Sequence, residues 1–326
     1  MLNPHGDAQF MAAALALSER GRGQTGANPN VGCVIVKNGM VIGRGWTQPG
    51  GRPHAEEMAL AQAGPSAKGA DIYVTMEPCA HESSRGPTCS NAIIDAKPKR
   101  VIVATLDADE RTRRRGIDRL GDAGIPVSVG IREPEARRAM AGFLSRVEKQ
   151  RPFVTLKLAM SLDGCIAMAD GTSQWITGER ARAHAHLERA RSDAILVGAG
   201  TAKADRPGLD VRLDGLTDRS PQPVLLGNDP DMPAHWLQIA EPEAIAGLAD
   251  INWLMIEGGA QTAASFLRAG LVDRLLLYRA PIIIGGGMPG IADIGLEKLG
   301  DAHGHWQRID QREYGQDMLE IYEHAA

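Results

Sequence analysis

Four residues in the first third of the chain have side chains that could bind a metal and move a proton. His54 opens the stretch "HAEEMAL", and Glu56 follows two positions later. Cys79 and Cys89 both lie in "EPCAHESSRGPTC". Zinc prefers thiolate and imidazole ligands, and its catalytic sites use three protein ligands and a water molecule. His54, Cys79 and Cys89 therefore predict a catalytic zinc site, with Glu56 beside it as the proton carrier.

Two nearby thiols could instead form a disulfide. The other two cysteines, Cys33 and Cys165, lie in apolar, strand-like segments and are expected in the core. The stretch 10–17, "FMAAALAL", lacks the preceding basic residues of a signal peptide, so it is interpreted as part of an amphipathic helix. We expect a cytoplasmic protein, and stable disulfides are rare in that compartment. The remaining alternatives are a closed zinc site with His81 as fourth ligand and no metal at all.

The elements that would position these residues alternate between helix and strand. An Asn38-Gly39 turn predicts a hairpin over 31–46, and Thr88 is a suitable helix cap. Alternation of this kind predicts a sheet covered by helices. The other elements predicted in this half are helices at 7–20, 54–64, 88–97, 116–124 and 134–150, and strands at 70–77, 100–107 and 125–131.

A chain of 326 residues suggests two domains, at roughly 150 residues per domain. We place the boundary near Gln150 and assign the domains to 1–148 and 149–326. In the second half, "EGGAQTAASFL" places glycines before a helix, where backbone N–H groups can approach a phosphate. Strands are predicted at 153–160, 193–198, 223–226, 251–259, 273–280 and 317–323, and helices at 179–191, 241–248 and 261–269.

Composition and charge exclude some partners. The net charge is −4 and the calculated pI is about 6.2, which gives no electrostatic case for nucleic acid or an anionic membrane surface. No apolar run approaches the ~20 residues needed to cross a bilayer. We therefore expect neither a nucleic-acid nor a membrane partner.

The metal motif resembles that of the zinc nucleobase deaminases, which have H-x-E followed by P-C and a second Cys. Nine residues separate the cysteines here, instead of two, so the chain is more similar to the bifunctional riboflavin-biosynthesis deaminase–reductase family. The stretches that carry this resemblance are "ANPNVG" (27–32), "PHAEEMAL", "EPCAH", "KLAMSLDGCIAMADGTSQWIT" (157–177), "ADRPGLDVR" (204–212) and "EGGAQTAASFLRAGLVDRLLLYRAPIIIGG" (257–286).

This resemblance implies an α/β protein, with an N-terminal cytidine-deaminase-like α/β/α domain and a C-terminal dihydrofolate-reductase-like α/β domain. It implies one Zn²⁺ per chain and NADPH, and a pyrimidine ribose phosphate substrate that is deaminated and then reduced from ribosyl to ribityl. It also implies roles for individual residues. The deaminase substrate would contact Asn28, His81, Arg85 and Asp107. NADPH would contact Ala159, Trp175, Thr201, Asp205, Gly259, Ala260, Gln261, Thr262, Ala263, Ala264 and Ser265. The reductase substrate would contact Lys157, Ser173, Arg189, Leu209, Arg212 and Glu257.

Some positions depart from the family pattern and leave alternatives open. Asp109 stands where the family has an Asn, the arginine run 111–115 could bind phosphate or be a solvated surface, and the stretch 220–253 is short. That short stretch motivates an alternative in which the second domain does not reduce. A zinc-stabilised nucleic-acid-binding protein is a further alternative, and the arginine run is its only support. We also expect a homo-oligomer, either a dimer or a tetramer.

Overall fold

The structure, a computed structural model, describes residues 4–80 and 88–325. The chain divides into two compact units, Met1–Gln150 and Arg151–Ala326. Each unit builds its own β-sheet and buries its own apolar residues, so the two are described separately.

The first unit alternates helices and strands as the sequence predicts. Its helices and strands are, in chain order, α1 (Pro4–Ser18), β1 (Gly32–Lys37), β2 (Met40–Trp46), α2 (Ala55–Ala63), β3 (Asp71–Met76), α3 (Cys89–Ala96), β4 (Arg100–Thr105), α4 (Arg115–Asp122), β5 (Val127–Val129), α5 (Glu133–Ala139) and α6 (Ala141–Lys149).

The five strands form one sheet in the order β2-β1-β3-β4-β5. β1 is antiparallel to both of its neighbours, whereas β3, β4 and β5 are parallel. The inner strands read as nearly continuous apolar runs and are buried, as expected of strands covered on both faces. The helices form two groups, since α2 packs on α3 and α3 on α4, whereas α1 packs on α5.

Two glycines of β2 let the helix that carries Glu56 lie close to the sheet. A Cβ at Gly43 would lie 2.3 Å from the carbonyl oxygen of Ala59, and a Cβ at Gly45 would lie 2.1 Å from that of Ala55. Both distances are far shorter than a van der Waals contact, so only glycine fits. The "IGRG" sequence of β2 therefore sets how closely α2 approaches the strand.

The second unit contains β6 (Phe153–Met160), β7 (Cys165–Ala167), α7 (Glu179–Ala190), β8 (Ala194–Gly198), α8 (Ala199–Asp205), β9 (Gln222–Leu226), β10 (Leu237–Ile239), β11 (Trp253–Ile256), α9 (Ala260–Arg268), β12 (Arg274–Arg279), β13 (Met288–Pro289), β14 (Trp306–Tyr314) and β15 (Asp317–His324). Eight of these strands form one sheet, in the order β10-β9-β8-β11-β6-β12-β15-β14, and β13 pairs with β7.

The carboxyl ends of the parallel strands meet at one edge of the large sheet. Neighbouring strands from β10 to β12 are parallel, and the last two pairings, β12 with β15 and β15 with β14, are antiparallel. Ligands of open α/β sheets bind outside the carboxyl ends of their strands. Glu257 directly follows β11 at this edge, and the Gly258-Gly259 turn leads from there into α9.

Most predicted elements are present, with some corrections. The single helix predicted over 134–150 is wrong: Met140 has φ −108° and ψ 18°, which separates α5 from α6. The helix predicted at 241–248 is a 3₁₀ helix, Pro242–Gly247. The sequence did not predict α8, β10, β13 or β14, whereas β7 lies in the strand-like segment around Cys165. β14 escaped prediction because "WQRIDQREY" is a polar edge strand without regular apolar alternation.

Candidate active sites

In the first unit, the side chains of His54, Cys79 and Cys89 converge. His54 Nδ1 lies 3.2 Å from Cys89 Sγ and 3.7 Å from Cys79 Sγ. The three donor atoms all lie within 4.8 Å of one another. A tetrahedral zinc with bonds of about 2.0 Å to nitrogen and about 2.3 Å to sulfur requires donor atoms roughly 3.5–3.8 Å apart. The three predicted ligands therefore fit one zinc ion, and their spacing needs only small adjustments.

Each ligand is positioned by the end of a secondary-structure element. His54 directly precedes α2, and its backbone N–H donates to Glu57 Oε1 at 3.3 Å. Cys89 is the first residue of α3, which Thr88 caps as predicted by accepting from the Asn91 N–H. The Cys89 N–H donates to Cys79 Sγ at 3.3 Å. The start of α3 therefore brings the two sulfur atoms together.

The two thiols differ in acidity. Hydrogen bonds from Cys89 and from His54 outweigh burial and lower the pKa of Cys79 to about 4. The same thiol contact and burial raise the pKa of Cys89 above its ordinary value. Cys79 is thus poised as a thiolate, which is the form that binds metal.

Glu56 lies on the first turn of α2, next to this cluster, and is 4% exposed. Burial raises the pKa of its carboxyl to about 7, against the lowering effect of His54. A carboxyl that titrates near neutrality can take and return a proton at the working pH. It lines the same cavity as His54 and Cys79.

That cavity has a volume of about 190 Å³ and is lined mainly by residues of the loops around the sheet. Of the predicted substrate contacts, Asn28 and Asp107 line it, and so does Asp109. Asp107 accepts a hydrogen bond from the Thr112 hydroxyl at 2.6 Å. Asp109 is paired with Arg111, at 2.6 Å between Oδ2 and Nη2. His81 and Arg85 lie outside the described residues.

Glu77 is a functional neighbour that the sequence did not reveal. It directly follows strand β3, lines the cavity and precedes the Pro78-Cys79 pair. Its carboxylate is 6% exposed and accepts hydrogen bonds from four backbone N–H groups. The donors are Asp107, Arg114, Gly116 and Ile117. A buried acid directly after a strand was the available signal, but its partners are some 30–40 residues away.

The second unit has a large cavity, about 1110 Å³, along the carboxyl edge of its sheet. Its volume exceeds the roughly 300–1,000 Å³ that is usual for a small-molecule pocket, which suits an extended cofactor. Gly258 and Gly259 lie on it, at the turn into α9, as the sequence predicted. The predicted cofactor contacts that line it are Ala159, Trp175, Thr201, Gly259, Ala260, Gln261, Thr262 and Ser265.

A smaller cavity of about 390 Å³ shares part of this lining and holds most of the predicted substrate contacts. Glu257 Oε2 lies 3.5 Å from Lys157 Nζ, and Arg189 grips both carboxylate oxygens, at 2.7 and 3.0 Å. Burial would raise the pKa of Glu257, but the charges of Lys157 and Arg189 lower it to about 2. Arg212 lines the same cavity, and Ser173 lines the larger one.

Several predicted contacts do not reach either cavity. Ala263 and Ala264 are completely buried, on the side of α9 that faces the core. Leu209 packs in an apolar cluster with Ile195 and Val197. For Asp205, only its position at the end of α8 is described.

Trp175, which would equally have suited a core position, is instead 64% exposed and stacks on Arg182.

Two family models match the chain, one in each unit. Residues 4–105 match the cytidine and deoxycytidylate deaminase zinc-binding region, and residues 152–319 match the RibD C-terminal domain. No helix among the described residues has both the length and the apolar character for a membrane span.

Relatives match over nearly the whole length. A riboflavin biosynthesis protein RibD from Haemophilus influenzae is 38% identical, with 97% of each chain covered. The RibD protein of Escherichia coli is 40% identical over 91% of this chain and 94% of its own. A solved structure of RibD from Acinetobacter baumannii has a TM-score of 0.89 and 33% identity, and covers 99% of this chain and all of that one. A Thermotoga maritima deaminase/reductase has a TM-score of 0.88 and 29% identity, with 99% and 100% covered.

The fold, the thiol–imidazole cluster and these matches define an enzyme that joins a zinc-binding deaminase domain to a reductase domain that uses NADPH. The chain belongs to the RibD family of riboflavin biosynthesis proteins. The alternatives of a deaminase alone and of a nucleic-acid-binding protein are not favoured.

Proposed function

We propose that the chain deaminates 2,5-diamino-6-(5-phosphoribosylamino)pyrimidin-4(3H)-one and then reduces the ribosyl group of the product to ribityl. The first unit performs the hydrolysis and the second the reduction. The domains proposed for these activities are 1–148 and 149–326, a boundary two residues before the one between the compact units. The main support for this proposal is that each of the two matched units has its own cavities, and that the residues lining them suit different chemistry. A half-buried thiol, a buried thiol and a buried carboxyl line or adjoin the first, and a Lys157–Glu257–Arg189 cluster lines the second.

At the first cavity, His54, Cys79 and Cys89 would hold the metal. When bound, zinc would supply Lewis-acid chemistry that makes a water molecule nucleophilic at neutral pH. Glu56, which lines the cavity, would accept a proton from the attacking water and return it to the departing amine, so one water is consumed and one ammonia is released. Asn28, His81, Arg85 and Asp107 bind and orient the pyrimidine.

In the second unit, the residues around the larger cavity would hold NADPH, which when bound would supply the hydride for C1′ of the ribosyl group. Lys157 would donate the proton that balances this hydride at the opened sugar, and the ionised Glu257 carboxylate would hold and orient the Lys157 side chain. Ser173, Arg189 and Arg212 contact the ribose phosphate, and the two arginines can clamp its oxygens bidentately. Leu209, buried in its apolar cluster, holds the neighbouring segment in place and does not touch the phosphate. The proposed cofactor contacts are Ala159, Trp175, Thr201, Asp205 and the turn Gly259–Ser265. Within that turn, the buried Ala263 and Ala264 pack α9 against the core and do not touch the cofactor.

The chain is also proposed to act as a homo-oligomer, a dimer or a tetramer, in the cytoplasm and on a small-molecule substrate. The Cys79–Cys89 pair supports this location, because the thiols must stay reduced to hold a metal. Light scattering of the purified protein measures the oligomeric state. A monomer at micromolar concentration would contradict it.

The deciding experiment supplies the diaminopyrimidine substrate to the purified chain and follows ammonia release and NADPH oxidation together. Wild-type protein releases ammonia and consumes NADPH. The Glu56→Gln variant keeps its zinc but loses ammonia release by roughly 10²–10⁴-fold, and still oxidises NADPH when given the deaminated intermediate. Ammonia release without NADPH oxidation would remove the reductase half of the proposal.

A further inference from the structure

One face of α7 points into the smaller cavity of the second unit with three basic side chains. Arg182, His186 and Arg189 all line that cavity. They are spaced four and three residues apart, so they lie on the same side of the helix. Arg182 stacks on Trp175 and Arg189 grips Glu257. His186 has no role in the function described so far.

The ring of His186 is held in one orientation by a backbone contact. The Arg212 N–H donates to His186 Nδ1 at 3.2 Å. Since an amide N–H can only donate, Nδ1 must be unprotonated whenever this bond is made. The neutral ring then carries its hydrogen on Nε2, as a donor.

The same helix fixes the neighbouring backbone one turn later. Arg189 Nη1 donates to the Asp210 carbonyl oxygen at 2.9 Å. His186 and Arg189 therefore tie down two residues of one segment, Asp210 and Arg212. Leu209, just before it, adopts a φ of 54° and is buried, which anchors the segment from the other side. The Arg212 side chain therefore extends from a segment whose backbone is held in place.

The cavity favours an anion and a neutral imidazole. Lys157, Arg182, Arg189 and Arg212 line it together with two acids, Glu179 and Glu257. Burial, Arg189 and Arg212 lower the pKa of His186, and Glu257 and the Asp210 backbone oppose them. The neutral ring keeps both the Nδ1 acceptor and the Nε2 donor.

We propose that His186 binds the substrate of the reductase half: its Nε2–H donates a hydrogen bond to the ribose phosphate, while its Nδ1 positions Arg212 for the same phosphate. This inference rests on the proposed function, because the phosphate belongs to that substrate. It adds a neutral donor to the two arginines. A neutral donor contributes directional recognition without adding further repulsion among the cations.

Two near-isosteric variants separate the two nitrogen atoms. In His186→Asn, the amide oxygen can replace Nδ1 as the acceptor for the Arg212 N–H, but no donor reaches the position of Nε2. In His186→Gln, the amide nitrogen reaches the position of Nε2 and restores the donor. Arg180→Gln is the matched control, since Arg180 is an exposed residue of the same helix that does not line the cavity.

The assay uses the full chain with saturating NADPH and the deaminated intermediate. It measures KM and kcat for that intermediate, and the inhibition constants of ribose 5-phosphate and of ribose. For His186→Asn, KM and the ribose 5-phosphate constant should rise roughly 10- to 100-fold, as for a lost hydrogen bond to a charged group. The kcat and the ribose constant should change little. His186→Gln should recover part of the loss, because it restores the donor but not the acceptor for the Arg212 N–H. Arg180→Gln should match wild type.

If the inhibition constant of ribose 5-phosphate is the same in His186→Asn as in wild type, the inference is wrong. It is also wrong if the inhibition constant of ribose rises by the same factor, because the effect would then not depend on the phosphate. If His186→Asn does not fold, His186→Leu replaces it and should lose at least as much affinity for ribose 5-phosphate, measured by calorimetric titration. A wild-type chain that does not oxidise NADPH would instead contradict the proposed function.

Discussion

The carboxylate of Glu77 accepts a hydrogen bond from the backbone N–H of Gly116, with 2.9 Å between Oε1 and N. Through this bond and its three other backbone partners, the end of β3 is tied to the start of α4 and to the loop between β4 and α4. Cys79 follows two residues after Glu77, and Asp107, Asp109 and Thr112 belong to that loop. One buried acid therefore fixes both the metal ligand and the opposite wall of the cavity.

Replacing Glu77 with Gln should impair the deaminase and leave the reductase intact. Gln keeps one acceptor oxygen and presents an NH₂ group to the other backbone donors, so two buried N–H groups lose their partner. We expect the first unit to lose roughly 2–4 kcal/mol in free energy of unfolding, as for hydrogen bonds to a charged group. Thermal unfolding and ammonia release measure this, with NADPH oxidation of the deaminated intermediate as the internal control. Unchanged ammonia release would contradict the role given to Glu77.

A methyl group at position 116 should be costly, whereas one at position 121 should not. A Cβ on Gly116 would lie 1.9 Å from the Pro78 carbonyl oxygen, and a Cβ on Gly121, in the same helix, meets nothing within 4 Å. We expect Gly116→Ala to lower the free energy of unfolding by about 1–3 kcal/mol, and Gly121→Ala to raise it by up to about 1 kcal/mol. Denaturant unfolding compares the two. Equal effects would mean that Pro78 does not approach α4 this closely in solution.

Loss of one metal ligand should remove zinc and ammonia release together. Cys89→Ser should weaken zinc binding by at least about a hundredfold, because a hydroxyl replaces a thiolate donor. Metal analysis after gel filtration measures the zinc content, and a chelator should reproduce the effect in wild-type protein. Cys165→Ala, at a buried thiol of the other unit, should retain zinc. A Cys89→Ser variant with full zinc would exclude Cys89 as a ligand.

The charge of Glu257 should stabilise the second unit in a defined pH range. Its folded pKa of about 2 lies below the ordinary 4.5, so the ionised form favours folding. This contribution is complete above pH 4.5 and disappears as the pH falls towards 2. The difference in unfolding temperature between wild type and Glu257→Gln should therefore be largest above pH 4.5 and shrink below it. Calorimetry from pH 2 to 6 tests the sign.

Glu179→Gln, at an exposed position of the same cavity, is the control for this series. If the difference in unfolding temperature between wild type and Glu257→Gln grew as the pH fell, Lys157 and Arg189 would not stabilise the Glu257 carboxylate.

Local signals made much of the fold predictable. Asn38 and Gly39 adopt φ values of 52° and 78°, which these two residue types accept at low cost, so the hairpin could be placed to the residue. Thr88 caps α3 by a bond to its own first turn. The metal cluster was predictable because one His and two Cys, a combination typical of zinc sites, lie at the ends of predicted elements.

The remaining features depend on partners far away in the sequence. Glu77 acts through backbone groups of another loop, and His186 through the Arg212 amide, 26 residues along the chain. Neither pairing leaves a pattern in the residue types. The exposure of Trp175 was also undetermined, since an aromatic residue beside Ile176 suits a core as well as a binding surface.

Five side chains line both cavities of the second unit: Lys157, Trp175, Thr177, Arg182 and Glu257. This shared wall constrains protein engineering. A library that aims to change the cofactor preference, but varies these positions, will alter sugar-phosphate binding at the same time. Thr201, Gln261 and Arg268 line the larger cavity alone. They are the positions at which a redesign for another nicotinamide cofactor should begin.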